Sequence, residues 1–221
     1  GIDAVINFAA ITRGRDRKAM FDVNVEGPKR LADAAKRHHV RHFIQISSTH
    51  VYGSATYISR ATAENPVTPY GRSKHAADIA LQALASSDFS VTSLRVPALY
   101  GGGTGRNLRK LGLLMAHLGW FPVPHELGCR SVLNVRNLAV VLKSLLFNPL
   151  TGIQFAADRD PLQLNDLAEA ASTQLDRPIK LITVPRAALL PLAIVSRTLH
   201  ERLYGSSLVA QTECVPVLLS E

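Results

Sequence analysis

The sequence predicts an α/β fold built on a parallel sheet. Three observations carry that expectation. Short apolar, β-rich runs alternate with helical patterns in the order strand, helix, strand, helix, strand. The connections between them are short. The strands read as apolar throughout, as strands covered on both faces do.

Taken in order, Ala4 to Ala10 is the first strand. Asp16 to His39 places Met20, Val23, Leu31, Ala34 and Ala35 at rough helical spacing. Gly27-Pro28 interrupts it, predicting two helices or one with a bend. His42 to Ser48 is the next strand, and a polar, turn-rich segment runs from Gly53 to Pro69. Tyr70 to Ser86 is a helix whose apolar face is supplied by Ala76, Ala77, Ile79, Ala80, Leu81, Ala83 and Leu84. Ser90 to Val96 is a third strand, closed by Pro97. A loop follows at Gly101–Gly105. Beyond it the pattern mixes helices (Asn107–Leu118, Val135–Phe147, Asn165–Gln174) with short strands (Arg130–Leu133, Ile153–Ala156, Ile179–Val184). The opening is unusual: Gly1-Ile2-Asp3 runs straight into a buried strand, which reads as the interior of a longer chain.

The 221 residues carry 25 Lys and Arg against 17 Asp and Glu, a net charge of +8, with 47% hydrophobic and 19% charged residues. That balance excludes a disordered chain, a collagen and a disulfide-knotted peptide. One domain, or one with a small second lobe, fits the length. The densest basic stretch, Arg13 to Lys18, continues in Lys29-Arg30, Lys36-Arg37 and Arg41, but Asp16, Asp22, Glu26 and Asp33 interleave with it. Phe21 and Phe43 occupy apolar-looking positions there, so the stretch reads as a solvated helix face and no nucleic-acid partner is expected. The charge remains compatible with a phosphate-bearing ligand. The longest apolar run, Ala187–Val195, is broken by Pro191 and falls short of the roughly 20 residues that a membrane helix needs. Cys129 and Cys214 stand far apart with no metal spacing. No metal site is expected, and a reducing cytoplasm is the simplest home.

The chemistry centres on Tyr70-Gly-Arg-Ser-Lys74. The i, i+4 spacing at a helix start puts phenol and ammonium on one face. A free tyrosine, with a pKa near ~10, is a poor base at neutral pH. A cation beside it favours phenolate. Such a pair can take a proton from a sugar hydroxyl or return one to a carbonyl oxygen. Ile46-Ser47-Ser48 ends the preceding strand, and in a parallel sheet the carboxyl ends of strands face the ligand crevice. Ser48 and Tyr70 are therefore expected to converge.

With these residues in place, the sequence resembles the extended short-chain dehydrogenase/reductases of the NAD-dependent epimerase/dehydratase family. The matching segments run in order. Val5 to Ala10 is similar to the family's fourth strand, and Asn24-Val-Glu-Gly27 to its NVxG segment. Phe43 to Gly53 is similar to its serine strand and VYG turn, and Pro69 to Lys74 to its PYxxSK motif. Leu94 to Gly101 is similar to its LRxxxxYG segment. Arg130 to Leu138 resembles its R-x-x-x-H-V-x-D-L segment.

The resemblance implies a Rossmann-like doubly wound parallel sheet that opens at about its fourth strand, with the glycine-rich GxxGxxG turn expected ahead of residue 1. It implies a dinucleotide-binding remainder over 1–100 and a smaller α/β substrate lobe over 101–221, with 135–160 returning to the sheet. The implied cofactor is NAD or NADP. Catalysis would rest on Ser48, Tyr70 and Lys74. The Lys would also hold the nicotinamide ribose and lower the Tyr70 pKa. Phe8, Ala9, Ala10, Asn24, Ser47 and Pro97, with Tyr70 and Lys74, would line the cofactor. Ser48, Asn107 and Arg130 would hold a nucleotide sugar, Arg130 by gripping the diphosphate. A homodimer through the Tyr70-bearing helix is implied as well, presenting Ile79 and Ala83 to a partner helix.

Two departures narrow the chemistry. The family's dehydratases carry Asp-Glu directly after the catalytic Ser/Thr, and here the pair is Thr49-His50. Water elimination then lacks its acid and base, leaving 4-epimerisation or 4-reduction of a sugar taken to be UDP-linked, as in surface-polysaccharide synthesis. His50 is expected to line a turn, with a substitute general acid as the alternative. The family's His-Val-x-Asp appears as Asn134-Val135-Arg136-Asn137, so a charge near that helix start is missing. A non-catalytic dinucleotide-binding regulator and an inactive truncated remnant stand as the other readings.

Overall fold

The computed structural model describes residues 1–14, 16–103, 106–124, 128–185, 188 and 206–215, with 106–108 as backbone only. The run Ala187–Val195 lies outside them but for Ala188, and so does the Asn107 side chain.

Four parallel strands form the central sheet: β1 (Ala4–Asn7), β2 (His42–Ser48), β4 (Ser90–Val96) and β8 (Gly152–Phe155), side by side in that order. Its register pairs Asn7 with Gln45 and Ser48 with Val96. Successive residues of a strand face opposite ways, and the core follows that parity. Phe43 and Val91 pack with Ala32, Ala35 and Leu81 of α2 (Gly27–Arg37) and α3 (Pro69–Gln82) on one face. Ile44 and Leu94 pack with Leu138, Val141, Leu142 and Leu145 of α5 (Val135–Phe147) on the other. Helices on both faces explain why these strands show no polar alternation.

The helical stretch before β2 is one continuous path rather than two helices. α1 (Arg17–Phe21) passes into a π turn, Asp22–Glu26, and then into α2. Gly27 N–H reaches back five residues to the Asp22 carbonyl, and Pro28, which has no N–H to give, sits in the first turn of α2.

A smaller layer stands beside the sheet. α4 (Arg106–Leu118) and α6 (Leu164–Leu175) cover a two-stranded parallel pair, β6 (Trp120–Pro124) with β9 (Lys180–Val184). Met115, Phe121, Val123, Leu164 and Ala168 form its core. The Pro-rich Trp120–Pro124 stretch is thus a strand. Prolines are admitted because a two-stranded sheet leaves one side of each strand unpaired. Short parallel pairs complete the strands of the described residues: β5 (Ala98–Tyr100) with β7 (Val132–Asn134), and β3 (Tyr57–Ile58), inside the turn-rich segment, with β10 (Leu208–Val209). The strand expected at Arg130–Leu133 is displaced, and Arg130 makes only isolated bridges to Leu162 and Ser207.

Candidate active site

The site forms where the strands end. Beyond the pairing of Ser48 with Val96, β2 runs into Thr49 and β4 into Pro97, while β1 runs out into Phe8–Ala10. Phe8, Ala9, Ala10, Ser47, Ser48 and Pro97 therefore share the carboxyl edge of the sheet, the edge where ligands bind in open α/β folds.

Ser48 caps the one-turn helix Thr49–Tyr52 by accepting the His50 backbone N–H. Thr68 caps α3 in the same way through Gly71 N–H at 3.0 Å, with Pro69 at the first helical position. The two caps bring the chain ends together because Gly71 has no side chain. A Cβ there would lie 2.5 Å from the His50 carbonyl oxygen. Ser48 consequently comes within reach of the Tyr70 phenol and acts on its pKa. The His50 ring stands edge-on to the Tyr70 ring, 5.6 Å between centroids, with Nδ1 3.1 Å from Ser48 Oγ.

Tyr70 is pushed above the ordinary phenol range, first by burial. Ser48 pulls it down and the Asp78 carboxylate pushes it up again. The expected lowering by Lys74 is therefore not found. Lys74 is 1% exposed. Burial brings its ammonium down to about 8, against the attraction of Asp78 one turn further along α3.

Behind Lys74 lies a buried polar network. Asp78 Oδ2 accepts hydrogen bonds from Ser47 Oγ and Arg95 Nε, each at 2.9 Å. Arg95 Nη1 donates to the Tyr52 hydroxyl at 2.6 Å and is paired with Glu64, which also meets His75. Sequence reasoning missed these partners, which meet only through tertiary folding.

Two residues expected at the cofactor have their side chains turned into the protein. Asn24 is wholly buried in the π turn. Its amide donates to the Ile11 carbonyl at 2.9 Å and to Ser73 Oγ at 2.9 Å, and its oxygen accepts Ile11 N–H at 2.7 Å. Ser73 Oγ in turn donates to the Tyr70 carbonyl at 2.8 Å. Asn24 thus ties the ledge beyond β1 to the helix carrying Tyr70. The Ser47 hydroxyl is likewise turned inward, to Asp78. Phe8, by contrast, is 57% exposed at the end of a strand whose last residue, Asn7, is buried. That uncovered aromatic, on the same carboxyl edge of the sheet as Ser48, fits a flat ring such as the nicotinamide of a dinucleotide.

Arg130 lies outside the central sheet, where its backbone N–H donates to Leu162 O at 3.0 Å. Asn107 lies in the first turn of α4, its side chain outside the described residues. The charge missing from the start of α5 is supplied by Asp158, just after β8. Its carboxylate accepts from the Tyr100 hydroxyl at 2.7 Å, from Asn134 N–H at 3.1 Å and from Asn137 Nδ2 at 2.7 Å. A carboxylate at a helix N-terminus suits the helix dipole. Among the described residues no group of three or more His, Cys, Asp or Glu could hold a metal, and no helix is long and apolar enough to cross a membrane.

Comparison with known proteins decides the family. The model of the NAD dependent epimerase/dehydratase family matches residues 1–118. The chain belongs to that family. It is 29% identical over 174 residues to a UDP-glucose 4-epimerase of Vibrio cholerae, covering 74% of this chain and 52% of that one. It is 36% identical over 108 residues to a dTDP-glucose 4,6-dehydratase of Streptomyces griseus, covering 46% and 33%. Its fold is similar to that of a dTDP-4-dehydrorhamnose reductase from Bacillus anthracis in complex with NADP. The TM-score there is 0.70 at 18% identity, over 94% of this chain and 71% of that one. The chain spans 52% and 58% of the two curated 4-epimerases it matches. Three chemistries are represented among these proteins.

Proposed function

We propose that the chain carries the proton-transfer residues of an NAD(P)-dependent enzyme that moves a hydride at C4 of a nucleotide sugar, as a 4-epimerase or 4-reductase on a UDP-linked substrate. The observation that carries this reading is the convergence of Ser48 and Tyr70 at the carboxyl edge of the sheet, close enough for Ser48 to lower the phenol's pKa, with Lys74 one turn along the same helix. Phe8, Ala9, Ala10 and Pro97 would line the dinucleotide and Lys74 would hold its ribose. When bound, the nicotinamide supplies the site's hydride chemistry.

Ser48 orients the reacting sugar oxygen toward Tyr70. In the oxidative half-reaction Tyr70 accepts the O4 proton, and in the reductive half it returns one. The raised Tyr70 pKa suits the returning role, because the phenol stays protonated at neutral pH. Thr49-His50, where a dehydratase would need a pair of carboxylic groups, supports epimerase or reductase over 4,6-dehydratase. An intact Ser-Tyr-Lys set speaks against a non-catalytic regulator. Arg130 and Asn107 are assigned to the nucleotide diphosphate and sugar. Ile79, 60% exposed on α3, supports a homodimer through that helix, and the free thiols of Cys129 and Cys214 are in keeping with a reducing cytoplasm.

Product analysis separates the two forms. UDP-sugars with NAD should yield the C4 epimer, or 4-keto sugars with NAD(P)H should yield the C4 alcohol. Loss of water from C6 as the sole product would overturn both.

A further inference from the structure

Ser48 has three polar neighbours and a hydroxyl that can serve all three. Its oxygen accepts the His50 backbone N–H at 3.2 Å, lies 3.1 Å from His50 Nδ1, and is close enough to the Tyr70 phenol to lower its pKa, with the Tyr70 and His50 rings edge-on at 5.6 Å. A serine offers one donated hydrogen and two acceptor lone pairs. With one lone pair committed to the backbone, one hydrogen and one lone pair remain for two partners, each able to donate or accept. The Tyr70–Ser48–His50 line can therefore run in either direction. One end is shielded: Lys74 and Ser48 are buried and Tyr70 is half-buried. At the other end, His50 is exposed to solvent.

We propose that His50 is a relay residue that connects the Tyr70 phenol to solvent through the Ser48 hydroxyl. The inference rests on the oxidoreductase reading above and adds a route for the proton. In reduction, a nicotinamide hydride adds to the carbonyl carbon, the C=O π pair passes to oxygen, and the Tyr70 proton goes to that oxygen. The phenolate then takes the Ser48 proton, Ser48 takes the His50 Nδ1 proton, and Nε2 gains one from water. One solvent proton is consumed per hydride, and every residue returns to its starting charge. Oxidation runs the same line backward. The titratable and charged groups around this turn are Tyr52 of the turn itself, Tyr70, Arg72, Lys74, His75 and Asp78 of α3, Arg95 of β4 and Glu64 of the intervening loop. Among these, Tyr70 stands edge-on to the imidazole.

Two measurements on the protein test this. In the first, nitrogen NMR of labelled histidine reports the tautomer and titration of His50 in wild type, Ser48→Ala and Tyr70→Phe. The relay requires both substitutions to shift the His50 midpoint and its Nδ1 resonance. A His50 signal that neither variant moves would overturn it. In the second, His50→Gln keeps the backbone N–H that Ser48 caps but cannot ionise. We expect kcat in the reducing direction to fall about 100-fold, the lower end of what a lost proton transfer costs, with KM for the sugar unchanged and partial rescue by added imidazole. Full activity with an unaltered pH profile in His50→Gln, beside a dead Tyr70→Phe, would sink the relay and leave the parent reading standing. An active Tyr70→Phe would sink the parent reading instead.

Discussion

Lys74 is held where a lysine is least comfortable. It is 1% exposed, and burial lowers its ammonium from 10.5 to about 8. Below pH 8 the folded protein carries the charge at a cost. Between about 8 and 10.5 the folded amine is neutral while the unfolded one is still protonated, so stability rises with pH across that window. Lys74→Met should therefore raise stability at pH 7 by roughly 1–3 kcal/mol while removing activity. Urea unfolding should show the gain shrinking above pH 8 and vanishing near 10.5. A variant less stable than wild type at pH 7 would show that Asp78 repays the burial in full. His50 belongs to this scale too, since its relevance turns on one ring nitrogen 3.1 Å from one hydroxyl.

At the scale of elements, the site depends on how closely the turn after β2 approaches the start of α3. Gly71→Ala would drive a methyl against the His50 carbonyl, which is backbone and cannot swing aside. It should destabilise by about 1–3 kcal/mol and cut turnover more than ten-fold by separating Ser48 from Tyr70. Wild-type kinetics in this variant would show the spacing to be slack. Strand β4 meets α3 through Arg95 and Asp78, each 1% exposed. Arg95→Leu strands the Asp78 carboxylate in the interior and should cost about 3–5 kcal/mol in thermal or urea unfolding.

These elements differ in how far they could be read beforehand. His42–Ser48, Ser90–Val96 and Val135–Phe147 have the ends their residue patterns predict, because strand runs and apolar helix faces are local signals. The π turn, β6 and the charge at α5 were hidden for different reasons. A five-residue backbone reach has no side-chain signature. Pro122 and Pro124 suggest a loop until β9 is seen to pair on one side only. Asp158 lies 24 residues from the Asn134 amide it receives. Asn24, in the π turn, and Ser47, at the end of β2, have their side chains turned into the protein. What turns their side chains inward is Ser73, 49 residues from Asn24, and Asp78, 31 residues from Ser47.

Across the whole molecule, a four-stranded parallel sheet gathers at one edge the residues that three different elements contribute. Arg130 and the start of α4, which the proposed function assigns to a substrate's far end, lie outside that sheet. The central claim is that Tyr70, placed by Ser48 and backed by Lys74, exchanges the proton that accompanies hydride transfer at C4. Its most direct test is single-turnover hydride transfer with a C4-deuterated UDP-sugar in wild type and Tyr70→Phe, with folding of both verified by thermal melting. Wild type should transfer deuterium between C4 and the nicotinamide, and a folded Tyr70→Phe should do so at least about 100-fold more slowly. Deuterium transfer at the wild-type rate in that variant would contradict the assignment.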